Sequence, residues 1–267
     1  MDRTLPRRAA RADLAFVAIC ALLFAASVAA TLAQHASMAT MGELPLPGGG
    51  SLSMLWMPTC GRTWARAAAS FVGMWIVMMA AMMLPSLAAM LLRYRAAVGA
   101  RVQAGRLAGF TLLVAGGYAL VWSALGLAMF MVGDAFAMLE LRWPPLAHGM
   151  PSITGVVVLL AGAVQFSGWK ARHLACCRAT PSVAVAVGPA GAFRCGLRTG
   201  VHCCCSCAGL TALLVVVGVA DLRLMAGLTA AITAERLLPD GMRAARTIGV
   251  LVGGGGLLLL ARAASVG

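Results

Sequence analysis

The chain contains little charge. Only 11% of its 267 residues are Asp, Glu, Lys or Arg, whereas 61% are hydrophobic, and soluble domains carry roughly 25% charged residues. This composition excludes a soluble globular domain and predicts an integral membrane protein. The 21 basic residues outnumber the 8 acidic ones, but they cluster in short segments between apolar runs. That distribution signals membrane topology, so we expect a lipid bilayer as partner and no nucleic acid.

Motifs of energy-coupled transport and of disulfide-stabilised folds are also missing. The sequence has no ATP-binding loop and no motif for a phosphorylated aspartate, which excludes a primary pump within this chain. Its nine cysteines are an odd number, and their clustering is unlike the disulfide framework of a small secreted protein. No pattern predicts a catalytic centre, and we expect a non-catalytic protein.

Apolar segments predict the fold. Each transmembrane helix needs about 20 apolar residues, and seven segments approach or exceed that length, which predicts an all-α, polytopic transmembrane bundle. The segments are 14–33, 67–92, 107–133, 149–168, 199–220, 224–234 and 247–261. The last two are short, so six spans are the alternative. The first segment also ends in small residues that fit a cleaved signal peptide, although its apolar core is long for one.

The basic segments orient this bundle. The tail and the segments 93–106, 169–198 and 236–246 are basic, and with seven spans all four fall on one side. Because basic loops stay in the cytoplasm, the N-terminus is predicted there. The chain then divides into a basic cytoplasmic tail (1–13), a first transmembrane helix (14–33), an extracytoplasmic loop (34–66) and a helical bundle (67–262) with a Met-rich second span and a Cys-rich fifth span.

A stripe of methionines marks the second span. At about 100° per residue these side chains share one half of the helix with Trp75 and Pro85, and we expect that half to face inward. Pro85 also predicts a kink. Thioether sulfur suits Cu(I), although methionine also fills irregular gaps in cores. The candidate ligands are Met78, Met79, Met82 and Met83.

The outer loop repeats soft donors at three-residue steps. Such steps bring side chains together on a helical turn, and thioether, imidazole and thiolate all bind copper. The alternative is a loop resting on the membrane interface, which Trp56 and Trp64 would favour. The candidate ligands are His35, Met38, Met41, Met57 and Cys60.

The fifth span contains four cysteines in five residues. On a helix Cys203, Cys204 and Cys207 share an arc of about 100°, whereas Cys205 points away. Sulfur ligands in such low number favour Cu(I) over Zn(II), which requires four. Packing of small buried thiols is the alternative. The adjoining basic segment contains further donors, which either pass metal to the cluster or, as we expect, are reduced surface thiols. These are His173, Cys176, Cys177 and Cys195.

Residues 75–86 read Trp-Ile-Val-Met-Met-Ala-Ala-Met-Met-Leu-Pro-Ser, and this motif resembles one found in a known protein family. With further landmarks they make the chain resemble, over about residues 65–240, a bacterial family of predicted metal-binding integral membrane proteins, sometimes labelled copper chaperones. The further landmarks are Gln165, Lys170, the Cys177-Arg178 pair before Ser182, Gly218, Met225 and the Glu235-Arg236 pair. The resemblance implies the bacterial cytoplasmic (inner) membrane as location.

The chain departs from this family at its cysteines. The family pattern usually ends in Cys-Cys-Trp where this chain has Ser206, Cys207 and Ala208, and a methionine is replaced by Thr211. The resemblance implies a role for Cys205, while helix geometry favours its neighbour Cys204. Both alternatives stay open.

The sequence therefore predicts a membrane protein that binds and handles a soft metal. The metal is expected to be copper as Cu(I), with zinc less favoured. The expected partner is a protein that delivers this metal or receives it. Three alternatives remain. A membrane thiol redox protein would use the Cys204-x-x-Cys207 spacing. A secondary metal transporter would use Glu235 as intramembrane proton carrier. A structural partner of a membrane complex would use the sulfur residues for packing.

Overall fold

The computed structural model describes residues 4–39, 44–45, 51–52, 63–180, 187–218 and 221–266. In these residues the fold is a bundle of eight helices and one two-stranded antiparallel ribbon, which confirms the helical prediction. The elements are α1 (Thr4–Ala39), β1 (Leu44–Pro45), β2 (Ser51–Leu52), α2 (Trp64–Gly99), α3 (Ala104–Arg142), α4 (Pro144–Val164), α5 (Gly168–Arg178), α6 (Pro189–Val217), α7 (Leu222–Leu237) and α8 (Gly241–Val266).

Five of the described helices are long and apolar enough to cross a membrane. They contain Ala12–Ser37, Trp64–Gly99, Ala104–Leu139, Pro189–Val217 and Gly241–Ser265. A sixth candidate is the pair formed by α4 and α5, which bend by 62° at their junction. The described chain thus has five to six candidate spans, where the sequence predicts seven. The remaining predicted segment lies in α7, whose 16 residues reach only about 24 Å at about 1.5 Å per residue.

The bend between α4 and α5 replaces a predicted loop with a helix. The prediction of a loop over 169–198 is wrong for the described residues, because α5 and the start of α6 occupy most of them. Ser167 separates the helices: its hydroxyl donates to Val164 O (2.7 Å) and accepts from Lys170 N (3.1 Å), so it starts a new helix. The turn carries Lys170 into the interior, where its side chain is fully buried.

Glycines allow two helix pairs to pack closely. A Cβ at Gly162 of α4 would come within 2.6 Å of the backbone of Gly253 in α8, and a Cβ at Gly256 would come equally close to α4. Between α3 and α6, a Cβ at Gly117 would lie 2.6 Å from the Phe193 carbonyl. Small residues at such contacts permit close backbone approach in membranes. Gly253 and Gly256 of the glycine run 253–256 therefore lie where α8 packs against α4.

The basic segments meet at one end of the bundle, here called the basic end. Asp13 of α1 pairs with Arg95 of α2 at 2.9 Å. Arg93 donates to the Arg178 carbonyl at the end of α5 (3.1 Å), and Arg178 donates to the Pro239 carbonyl beyond α7 (2.8 Å). The start of α1 and the ends of α2, α5 and α7 therefore lie together.

The methionine stripe faces the core. Met78, Met79, Met82 and Met83 are each 2–3% exposed, whereas Ile76 on the other half of α2 is 42% exposed. The predicted inward orientation is confirmed. The helix continues through Pro85. Proline has no backbone N–H, so one hydrogen bond within the helix is missing there.

Candidate metal centre

Two cysteines of α6 lie together in the interior. Cys203 and Cys207 stand one turn apart on the helix and are both fully buried. Cys204 is half-buried and packs against the same core cluster, and Cys205 is half-buried. The sequence predicted that the fifth span begins at residue 199, which would put the cysteines at its start. In the structure α6 begins at Pro189, so the cysteines lie in the middle of the helix.

An arginine from α7 contacts both buried thiols. Arg236 Nη2 lies 3.0 Å from Cys203 Sγ, 3.3 Å from Cys207 Sγ and 3.1 Å from Ser206 Oγ. Its Nη1 donates to Ser86 Oγ of α2 at 3.4 Å. Arg236 as a whole is only 7% exposed. A cation in this position stabilises negative charge on sulfur, and the thiolate is the form that binds metals.

Further polar contacts hold these cysteines in place. Tyr118 of α3 places its hydroxyl 2.8 Å from Cys203 Sγ. Ser206 donates to the Cys203 carbonyl at 3.1 Å, and its hydroxyl lies 3.8 Å from Cys207 Sγ. We call Cys203, Cys207, Arg236, Tyr118 and Ser206 the thiol centre.

A buried ion pair adjoins the thiol centre. Lys170 Nζ lies 2.6 Å from Glu235 Oε2 and donates to the Ser206 carbonyl at 2.6 Å, and the two charged side chains are 0% and 1% exposed. The sequence placed Lys170 in a basic loop, which is wrong because α5 turns it inward. Glu235, the carboxylate that a secondary transporter would use as proton carrier, is buried, and its charge is balanced by Lys170. The ion pair therefore joins α5, α6 and α7 around the cysteines.

The methionine stripe and the cysteines belong to one core cluster. However, α2 packs on α1, α3 and α7, whereas α6 packs mainly on α3, α4 and α5. Arg236 links the two helices, since it contacts Ser86 on the inward face of α2 and both buried cysteines of α6. A guanidinium therefore lies between the inward face of α2 and the buried cysteines of α6.

Two imidazoles pair between α5 and α6, close to the thiol centre. His173 Nδ1 and His202 Nδ1 are 2.9 Å apart, and the Trp169 ring meets His173 edge-on at 4.8 Å. Nearby, Cys177 is 4% exposed with its sulfur 3.9 Å from Ser206 Oγ, so the expectation of a surface thiol is wrong for Cys177. That expectation is confirmed for Cys176, which is exposed.

The predicted outer-loop ligands are placed only in part. His35 lies half-buried near the end of α1. The others fall outside what the structure describes: Met41, Met57 and Cys60 entirely, and Met38 in its side chain. Within the described residues, no three His, Cys, Asp or Glu side chains converge as a metal site. The thiol centre therefore offers two cysteine ligands.

Comparison with known proteins gives one finding. A family model described as "PpoB2: Copper chaperone" matches residues 72–259, from the first half of α2 into α8. No curated protein and no solved structure matches the chain. The matched region contains the methionine stripe, the buried ion pair and the thiol centre, and it covers well over half of the sequence. The chain therefore belongs to the PpoB2 copper chaperone family.

Proposed function

We propose that this chain is an integral membrane protein that holds copper as Cu(I) cargo in the thiol centre and passes it to another protein without catalysing a reaction. The observation that carries the proposal is the position of Arg236, one nitrogen of which contacts the sulfurs of both Cys203 and Cys207. The description of the family as copper chaperones supports copper as the cargo.

The donor set fits Cu(I) better than Zn(II). Two thiolates are soft ligands in low number, whereas structural zinc takes four. Charge favours the same metal. Cu(I) with the thiolates of Cys203 and Cys207 carries one net negative charge, which the Arg236 guanidinium balances. Lys170 and Glu235 balance each other. The loaded site is then neutral, whereas Zn(II) would leave a net positive charge, which is costly away from water.

The methionine stripe supplies neutral ligands to the same core. Thioethers bind Cu(I) without adding charge, so Met78, Met79, Met82 and Met83 extend the site and leave its balance intact. Their burial at 2–3% exposure is consistent with inward-facing ligands. In this proposal they complete the copper shell or hold copper during its transfer. The outer-loop set around His35 stays a prediction as a further soft-metal region.

The proposed topology has the basic end in the cytoplasm of a bacterium and the bundle in its inner membrane. Four basic segments meet at that end, as the positive-inside rule requires. The chain then makes seven passes, namely α1, α2, α3, α4 with α5, α6, α7 and α8. In this topology the short α7 makes the sixth pass and its C-terminal end, with Arg236, is on the cytoplasmic side. The proposal therefore puts the thiol centre nearer the cytoplasm, where thiols stay reduced, than the outer face.

Copper content of the purified protein tests this proposal. Wild-type protein in detergent is loaded with Cu(I), washed with a weak chelator and analysed for copper per chain. The Cys203→Ser/Cys207→Ser variant is expected to lose the retained copper. The Cys20→Ser/Cys176→Ser variant removes as many thiols outside the centre and is expected to keep it. Equal copper in all three proteins contradicts the proposed site, provided that each variant elutes as the same folded species.

A further inference from the structure

A pair of imidazoles outside the thiol centre has no role in the proposed function. His173 of α5 and His202 of α6 lie 2.9 Å apart through their Nδ1 atoms. Both rings are half-buried, so they are reachable from the surface. Their hydrogen bond needs one neutral imidazole as acceptor, and a neutral imidazole is the form that binds metal.

We propose that His173 and His202 form a second Cu(I) site, a loading site through which copper reaches the thiol centre. The inference rests on the proposed function, because it takes the thiol centre as the destination. Two nitrogen ligands suit the low coordination numbers that Cu(I) accepts, and imidazole binds copper well. Metal–nitrogen bonds of about 2.0 Å require the two Nδ1 atoms to part to roughly 4 Å. Rotation of two half-buried side chains provides that change.

Donor atoms follow one another inward from this pair. On α5, His173 lies one turn before Cys177, which is 4% exposed. On α6, His202 adjoins Cys203, which is fully buried. The Cys177 and Cys207 sulfurs each lie within 4 Å of Ser206 Oγ. Exposure thus falls as the donors change from imidazole to thiol, which binds Cu(I) more strongly. This order favours capture at the surface and retention in the core.

Positive charge around the loading site indicates the form in which copper arrives. Arg172 precedes His173, Arg198 lies one turn before His202, and both arginines are exposed. A cationic rim repels a bare metal cation and attracts an anionic complex. The carrier is therefore a Cu(I) complex whose thiolate ligands give it net negative charge. In the transfer, copper stays Cu(I), and the bonds from copper to the carrier break as the carrier thiolates leave as anions. Two imidazole Nδ1 atoms bind copper in their place, and the hydrogen on the donating Nδ1 moves to Nε2 of the same ring, so both imidazoles bind as neutral ligands.

The first experiment isolates the loading site in protein that lacks the destination. The Cys203→Ser/Cys207→Ser variant, which also carries His35→Gln to remove the predicted outer-loop imidazole, is titrated with Cu(I), and the bound copper is examined by X-ray absorption. The expected result is weakly held copper with nitrogen ligands, which disappears when His173→Gln and His202→Gln are added. Nitrogen-bound copper that persists without both histidines overturns the inference, as does the absence of bound copper before they are changed.

The second experiment keeps all cysteines and measures the rate of loading. Cu(I) is supplied as its anionic complex with glutathione. The His173→Gln/His202→Gln variant is expected to fill the thiol centre at least tenfold more slowly, yet to the same final copper content. Cys176→Ser removes an exposed donor on the same helix and is expected to load at the wild-type rate. An unchanged rate overturns the loading site and leaves the thiol centre standing. The thiol centre is tested separately, by whether the Cys203→Ser/Cys207→Ser variant loses its copper.

Discussion

Replacing Arg236 with glutamine should weaken Cu(I) binding without abolishing it. The guanidinium lies 3.0 Å and 3.3 Å from the two cysteine sulfurs. At such separations, and an effective dielectric constant of about 20, a pair of unit charges interacts by roughly 4 kcal/mol. Because the copper–dithiolate unit carries one net negative charge and glutamine keeps one amide donor, we expect a net loss of about 3 kcal/mol. At about 1.4 kcal/mol per factor of ten, the dissociation constant rises roughly 100-fold.

Competition with a chromogenic Cu(I) chelator measures this affinity. Arg236→Lys retains the charge and should recover part of the loss, although an ammonium cannot contact Ser86 and both sulfurs with a planar fork. Arg243→Gln is the matched control, because that side chain is 85% exposed and pairs with Asp240 at the surface. If Arg236→Gln stays folded and binds Cu(I) as tightly as wild type does, the charge argument is refuted.

Two further predictions concern stability, each measured by thermal unfolding in detergent. Lys170→Met leaves the Glu235 carboxylate buried without its partner and should cost about 3–5 kcal/mol, much of which Glu235→Leu restores in the double variant. If the two single variants lose stability by amounts that simply add in the double variant, this double-mutant cycle shows that the two charges do not interact. Gly196→Ala forces a methyl group into the Val114 carbonyl and should cost about 1–3 kcal/mol. Gly116→Ala, with open space around it, is the control, and equal melting temperatures for the two variants would argue against the packing of α3 on α6.

Helices and their faces could be predicted from the sequence because they depend on local periodicity. Uninterrupted apolar runs specify the long helices, and the spacing of the methionines on α2 indicates the face that is buried. Cys203 and Cys207 are four residues apart, which on any helix brings them to one side. These predictions require only that the segment be helical.

The contacts around the cysteines could not be predicted, because they join segments far apart in the chain. Arg236 reaches Ser86 over 150 residues, and Lys170 reaches Glu235 over 65. Lys170 follows an apolar run and lies among basic residues, so its local sequence indicates a surface loop. Only the 62° turn between α4 and α5 carries it inward. The pairing of His173 with His202 likewise depends on how α5 packs against α6.

The ligands of the tightly held copper give the most direct test of the thiol centre. Wild-type protein is loaded with Cu(I), washed with a chelator that removes weakly bound metal, and examined by X-ray absorption. The account predicts a Cu(I) edge and a first shell of sulfur, with Cys203 and Cys207 as two of the ligands, and loss of this signal in Cys203→Ser/Cys207→Ser. Copper retained as Cu(II), or held by nitrogen and oxygen alone, would contradict it.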